Sequence, residues 1–570
     1  MRARYALIFG HGAARHQLRQ AASRSGLIVA ADADALLVTE PGASTLIGRH
    51  CAVVGRLWTS DFRAIDGLEG KVEDSARSND WSALPAACWG NYVLFTTDED
   101  GHPRVYRDPS GSVGAFHLRL VDQDLFFSDA EFVRALGFLD GARPDLRFAV
   151  HWMQFPFLKT ARSGLQDVSE VLAGTWRHRN RTGWTSALGW NPWAYAAGTT
   201  ALRKSSAVAV AVRDAALATI PAQLRGDTPA LQLSGGLDSS IIALCAKRGG
   251  IDCPGVHFVT SSADGDEQRY AQEVADICGI MLTIVSESDL RHGLERTIPL
   301  AIVPGANPVL APIERAILQA VGASGAESLV DGGGGDNLFC YLTTAAPVVD
   351  ALRRGPPGAA RRAVTAVAEI THSSWWDVVK AAVRVGLRPL GVRRWHEDLT
   401  FLNRELRLAG PDPHPWLGAP TGALEGRREH IETIAQIQHF FDRRTDWSMP
   451  VLHPLLAQPM LELCLGIPSW LWIEGGRDRA IARTAFEGLV PQSVLARRMK
   501  GSLQGFIQRS FEAQRSDLCA LLLDGELRRN GIVEPSAIEA AFRQAAVPDA
   551  VQLRLTELAS LEQWMRSWRA

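Results

Sequence analysis

The 570-residue sequence has no excess of charge of either sign, no long uninterrupted apolar run and no paired-cysteine spacing. Sixty lysines and arginines stand against 62 aspartates and glutamates, a formal net charge of −2, which gives no electrostatic reason to expect nucleic acid or an anionic membrane. The most apolar stretch, residues 455–473, contains Pro459, Glu462 and Pro468 and reads as a packed helix followed by a turn, not a membrane span. Residues 5–9 are too short for a secretory core, with His11 and Arg15 close behind. Eight cysteines (51, 88, 245, 253, 278, 340, 464, 519) show neither CxxC nor histidine-clustered metal spacing, so buried reduced thiols and a cytoplasmic location are expected. Tyrosine is scarce, 6 against 17 tryptophans. Several tryptophans (375, 376, 395, 416, 447, 470, 472) fall in one C-terminal stretch; they are expected to be core residues, with the shaping of a large cavity as the alternative. Low complexity is confined to residues 353–362, where arginines flank Gly355-Pro356-Pro357-Gly358, a loop or helix join.

With 46% apolar residues, a chain of this length supports two or more domains. The chemistry concentrates at two glycine clusters. Residues 229–233 read as a buried strand running into Ser234-Gly235-Gly236-Leu237-Asp238-Ser239-Ser240 and then an apolar helix. Glycines in such a turn expose backbone N–H groups next to the positive end of a helix, a cradle for a pyrophosphate-sized anion. No lysine follows the glycines, which excludes the usual phosphate loop, and the spacing is not that of a dinucleotide fingerprint. Residues 328–330 read as a second buried strand, ending in Asp331-Gly332-Gly333-Gly334-Gly335-Asp336-Asn337-Leu338-Phe339. Four consecutive glycines imply a close approach to the backbone, for which a ligand is the expected reason. Strands at 256–259 and 281–285, with a helix over 270–277 between them, predict a parallel, doubly wound sheet. Residues 206–220 read as an alanine-rich helix leading into it.

The Ser234–Ser239 string resembles the pyrophosphatase loop of ATP-cleaving synthetases such as asparagine synthetase, and the second cluster resembles that family's G-E-G-x-D-E-L-F segment. The resemblance implies ATP and Mg2+, with Asp238 and Asp336, 98 residues apart, as metal ligands and catalytic groups. It also implies a nucleotide site made by Leu231, Ser234, Gly235, Gly236, Asp238, Ser239, Ser240, Val259, Asp331 and Gly332, Leu231 and Val259 lining the adenine pocket. Asp266-Glu267 fits the D-E that the family carries before the helix. Residues 447–456 resemble the V-P-F-L-D segment with His453 in place of aspartate, which bears on substrate recognition. Arg477-Asp478-Arg479, Arg483 and residues 489–502 resemble the terminal segment whose lysine reaches the triphosphate. Lys500 is the residue expected in that role, which asks for a mobile cation with several donors.

Three N-terminal segments, 89–95, 105–111 and 125–129, resemble in order the antiparallel strands of the family's glutaminase domain. That domain uses a cysteine exposed after methionine removal. Here position 2 is Arg2 and no cysteine precedes Cys51, so a glutaminase-like fold without its nucleophile is expected. The predicted fold class is α/β: a degenerate, Ntn-type αββα domain over 1–195 and an ATP-pyrophosphatase synthetase domain over 203–570, with a largely helical C-terminal part.

Without its own ammonia supply, the attacking amine must come with the substrate. β-Lactam synthetases and lasso-peptide cyclases share that design. Gly333 stands where the β-lactam family has a tyrosine, so the chain looks more similar to the lasso cyclases. The implied activity is macrolactam formation on a precursor peptide, between its N-terminal amine and an Asp or Glu side chain, with release of AMP and pyrophosphate. A leader-peptide-binding protein and a cysteine protease are the implied partners. The alternatives are a small-molecule amide ligase of asparagine synthetase or β-lactam synthetase type, and a non-catalytic peptide-binding scaffold.

Overall fold

The computed structural model describes residues 3–32, 35–48, 51–67, 87–98, 100–181, 183–196, 205–262, 267–290, 293–294, 298–305, 307–387, 395–442, 449–497 and 501–569. Twelve strands come first: β1 (Tyr5–Phe9), β2 (Ile28–Asp32), β3 (Ala35–Thr39), β4 (Thr45–Ile47), β5 (Cys51–Thr59), β6 (Cys88–Thr97), β7 (Pro103–Arg107), β8 (Phe116–Arg119), β9 (Asp124–Phe127), β10 (Val168–Glu170), β11 (Thr175–Asn180) and β12 (Gly183–Leu188). They form two antiparallel six-stranded sheets, ordered β10-β8-β9-β1-β3-β2 and β12-β11-β7-β6-β5-β4. Side chains alternate across a strand, so β1 feeds two cores at once. Tyr5, Leu7 and Phe9 meet Val54, Val93 and Phe95 of the second sheet. Ala6 and Ile8 face the opposite way, onto helix Ala13–Ser25 and the C-terminal helices.

Helix Ser205–Leu224 then leads into five parallel strands: β13 (Pro229–Gln232), β14 (Gly255–Val259), β15 (Leu282–Ser286), β16 (Ser328–Val330) and β17 (Val451–Leu452), ordered β15-β14-β13-β16-β17. The helix is apolar and long enough to cross a membrane by composition alone. Here it is a core element, with Val208, Val212, Ala216 and Ile220 fully buried. The α/β class read from the sequence is therefore present, antiparallel layers followed by a doubly wound parallel sheet and helices.

Residues 455–473 form a short turn, the helix Gln458–Gly466 and one further turn at Ser469–Leu471, Pro459 sitting in the helix's first turn where its missing N–H costs nothing. Residues 353–362 are a helix join: Gly355-Pro356-Pro357-Gly358 separates helices Ala346–Arg354 and Ala359–Thr371. Trp416 and Trp472 are buried core residues, whereas Trp375 and Trp376 are exposed, and Trp447 lies outside the described residues. All eight cysteines are free thiols, seven buried and Cys519 half-buried.

One core joins the two ends of the chain. Ile8, Leu36 and Phe127 of the first sheet pack in a single cluster with Phe511, Leu522, Leu558 and Trp564. Trp564 and Trp568 both donate their indole N–H to the carbonyl of Ala301, at 2.7 and 2.9 Å. Leu558→Ala should therefore lower global stability by about 2–5 kcal/mol and cut hydrogen-exchange protection in β1 as well as in helix Asp549–Ser567. Loss of protection in that helix alone would show the two ends to be energetically separate.

Candidate active site

The order of the parallel sheet reverses between β13 and β16: the chain runs outward from β13 through β14 and β15, then returns to the other side for β16. At such a switch point the loops leaving the two central strands diverge and open a crevice at their carboxyl ends. Pro229, Ala230 and Leu231 pair with Ser328, Leu329 and Val330, so both glycine clusters leave the sheet side by side.

Gly235 has φ +74°, and the backbone turns there into helix Leu237–Arg248, with Gly236 as N-cap and Asp238 in the first turn. The hydroxyls brace this turn. Ser234 N–H donates to Ser239 Oγ at 3.2 Å, Gly236 N–H donates to Ser234 Oγ at 3.3 Å, and Ser240 Oγ donates to Gly236 O at 2.7 Å. The Leu231 side chain lies in the core with Leu233, Leu237 and Ile241; Val259, at the end of β14, is half-buried.

The second cluster packs directly on the first. A Cβ on Gly332 would stand 3.1 Å from Ser239 N, one on Gly335 would collide with the Asp238 side chain, and one on Gly334, at φ +83°, would meet Leu456 at 2.5 Å. The glycines thus permit a close approach of other parts of this protein. His453 is part of the same packing: its Nδ1 lies 2.6 Å from Asp331 Oδ1, and that oxygen also accepts the Gly333 N–H at 2.9 Å.

Asp238 and Asp336 converge on one cation, Arg479. Its Nη1 donates to Asp238 Oδ2 at 3.2 Å and to Asp336 Oδ1, while Nε reaches Asp478 Oδ1 at 3.3 Å. Burial alone would lower the pKa of this guanidinium, but Asp238, Asp336 and Asp478 outweigh it and raise it above the ordinary value. The residue sits in the left-handed region, φ 50°, and its guanidinium lies 5.6 Å from the Tyr341 ring centroid. Two hard carboxylate donors facing one positive centre suit magnesium, which would there supply charge to phosphate oxygens.

Lys500 lies outside the described residues, as do Asp266 and Ser448. Both flanks of the Lys500 segment are tied to Glu267. Gly501 N–H donates to Glu267 Oε1 at 2.5 Å, and Arg497 pairs with the same oxygen. Arg497 also stacks on Tyr270, 4.4 Å from its ring centroid, and Tyr270 borders Gly235. Sequence reasoning gave no role to Arg479, Arg497 or Tyr270; their partners lie up to 241 positions away, beyond any local pattern.

Residues 211–566 match the asparagine synthase family. The chain belongs to that family. Asparagine synthase-like proteins are ATP-dependent amide-forming ligases that use ATP, generally with Mg2+, and the converging Asp238 and Asp336 fit that use. No curated protein matches the sequence. Among solved structures, the allosteric regulatory enzyme of purine biosynthesis is 9% identical, covering 52% of this chain and 77% of that one with a TM-score of 0.20. A glutamine phosphoribosylpyrophosphate amidotransferase from B. subtilis, complexed with ADP and GMP, is 10% identical, covering 58% and 81% with a TM-score of 0.22. Likeness at that level bears no argument for this asparagine synthase-family chain.

Removal of the shared cation leaves two carboxylates facing each other. Arg479→Met should lower the urea-unfolding free energy by about 2–4 kcal/mol, toward the low side for a broken buried pair because the Asp336 side chain is 43% exposed; unchanged stability would show that the bridge holds nothing. Behind the second cluster, His430 Nε2–H donates to Leu338 O at 2.9 Å, and burial pushes its pKa down to about 4. A histidine depressed in the fold is protonated first in the unfolded chain. Its stabilising contribution is therefore complete above pH 6.5 and lost as pH falls toward 4, roughly 2 kcal/mol by pH 5. His430→Gln should flatten that part of the stability–pH curve; an unchanged slope would place the proton uptake elsewhere.

Proposed function

We propose that this asparagine synthase-family chain is a macrolactam synthetase acting on a precursor peptide. It activates an Asp or Glu side-chain carboxylate as the acyl adenylate and closes the ring with the peptide's N-terminal amine, releasing AMP and pyrophosphate. The observation that carries the reading is the state of the cysteines in the antiparallel sandwich. Cys51 and Cys88 are both buried within strands, and burial pushes the Cys88 thiol up to about 12, so the Cys88 thiol is not a thiolate nucleophile and Cys51 is not exposed to substrate. The synthetase carboxylates Asp238 and Asp336 are meanwhile drawn together on one cation. An amide ligase whose antiparallel sheets carry only buried cysteines among the described residues is suited to a substrate that brings its amine along.

In this reading the turn after β13 receives the pyrophosphate half of ATP on backbone N–H groups and the N-terminus of helix Leu237–Arg248. Asp238 and Asp336 hold magnesium, and Lys500 offsets charge growing on the phosphate oxygens. Leader-binding and protease proteins supply the shortened peptide. Holding amine and activated acyl group in one pocket makes ring closure intramolecular, an effect that can be worth about 7–11 kcal/mol.

The test is AMP and pyrophosphate release from ATP and Mg2+ with a set of synthetic peptides bearing a free α-amine and one internal Asp or Glu, with ammonia, and with neither. Peptide-dependent AMP formation, a peptide mass lower by one water, and at least a hundredfold loss in Lys500→Ala and Asp238→Ala are expected. Turnover driven by ammonia would instead make the chain a small-molecule amide ligase, and absence of ATP cleavage under every condition would leave a peptide-binding scaffold.

A further inference from the structure

Asp331 and His453 stand next to each other because of the sheet register. β16 and β17 run parallel with Val330 opposite Leu452, so the next residue on each strand leaves the sheet at the same edge. The imidazole is held from two directions. Nδ1 lies 2.6 Å from Asp331 Oδ1, and the ring stacks on Phe441 with centroids 3.9 Å apart and planes 13° apart. A carboxylate at Nδ1 draws the ring proton to that nitrogen and leaves the lone pair on Nε2. Among the described residues no hydrogen-bond partner takes Nε2. His453 also lines a cavity of about 170 Å³ where Ser112 and Ser128 of the sandwich face the end of β17.

We propose that His453, oriented by Asp331, is the general base of the amide-forming step, a role that rests on the amide-ligase reading above. The substrate amine forms a C–N bond at the carbonyl of the activated acyl group. The bond from that carbon to the AMP oxygen breaks, and AMP leaves with the electron pair. The proton lost by nitrogen passes to Nε2, and the resulting imidazolium is stabilised against the Asp331 carboxylate before it returns the proton to water. An imidazole fixed on one side by a carboxylate and open on the other is the arrangement such a proton transfer requires.

The test separates activation from capture in the full-length protein. Peptide-stimulated exchange of labelled pyrophosphate into ATP reports activation alone; amide formation reports both steps. His453→Gln is expected to keep exchange within about threefold and to lose amide formation by about a hundredfold or more. Hydroxylamine, a nitrogen nucleophile that is mostly unprotonated at neutral pH and loses its proton readily, is expected to capture the activated acyl group equally well in variant and wild type. Amide formation by His453→Gln at the wild-type rate, or loss of exchange in proportion to amide, would overturn the proposal. Wild-type protein without exchange on any peptide or on ammonia would remove the ligase reading, and the base with it. Exchange in the wild type with a variant unimpaired in amide formation would remove the base alone.

Discussion

Two carboxylates from helix starts far apart in the chain are held against one guanidinium, and much of the architecture serves that juxtaposition. Two like charges 4 Å apart near a protein surface repel by about 4 kcal/mol, and Asp238 and Asp336 share one partner. Arg479 offsets this, but a long side chain alone does not fix where two loops stand. The positions come from the ladder between β13 and β16, which puts both strand ends at one edge, and from the glycines, which let the second loop settle against the first without a Cβ between them. Backbone conformation at Arg479 completes the arrangement. Its φ is left-handed, and Asp478 beside it bonds the Arg479 side chain on one side and that of Arg483 on the other.

The antiparallel sandwich is coupled to this edge by specific polar contacts. Arg56 of β5 grips Asp227, two residues before β13, with bonds of 2.8 and 3.0 Å. Asn91 of β6 donates to Gln223 Oε1 at 3.3 Å, and Gln223 in turn donates to Pro454 O at 3.0 Å, one residue after His453. These bonds reach the segment that enters β13 at the amino edge of the sheet and the segment that leaves β17 at the carboxyl edge. A sandwich whose cysteines are buried thereby still fixes the position of the groups that face it across the small cavity, and its retention has a mechanical reason independent of any chemistry of its own.

The strands and the glycine clusters were legible in the sequence because they are local: short apolar runs, then residues able to adopt positive φ, then helical periodicity. Strand ends shifted by a residue. The strand expected over 229–233 stops at Gln232, although Leu233 N–H still reaches Val256 O at 2.9 Å. Contacts between distant segments left no such mark. Nothing near Gly335 in sequence announces Asp238 beside it, and the pairing of Glu267 with the segment around Lys500 spans more than 200 positions. The helix Ser205–Leu224 was read as alanine-rich, but its low polarity reflects burial from several sides, which composition does not separate from a membrane environment.

The glycine run also bears on where specificity can reside. Gly332, Gly334 and Gly335 are each backed by protein atoms, so a side chain at those positions would displace Asp238, Ser239 or Leu456 before it met a substrate. At Gly333 an added Cβ would meet Asp331 and His453 at 2.8 Å. The residue that follows β17, His453, is one of the neighbours of this loop. An imidazole at this position meets Asp331 through a ring nitrogen, where a second carboxylate would add only repulsion. The substitution at residue 453 and the carboxylate at residue 331 are thus best understood as a single chemical unit.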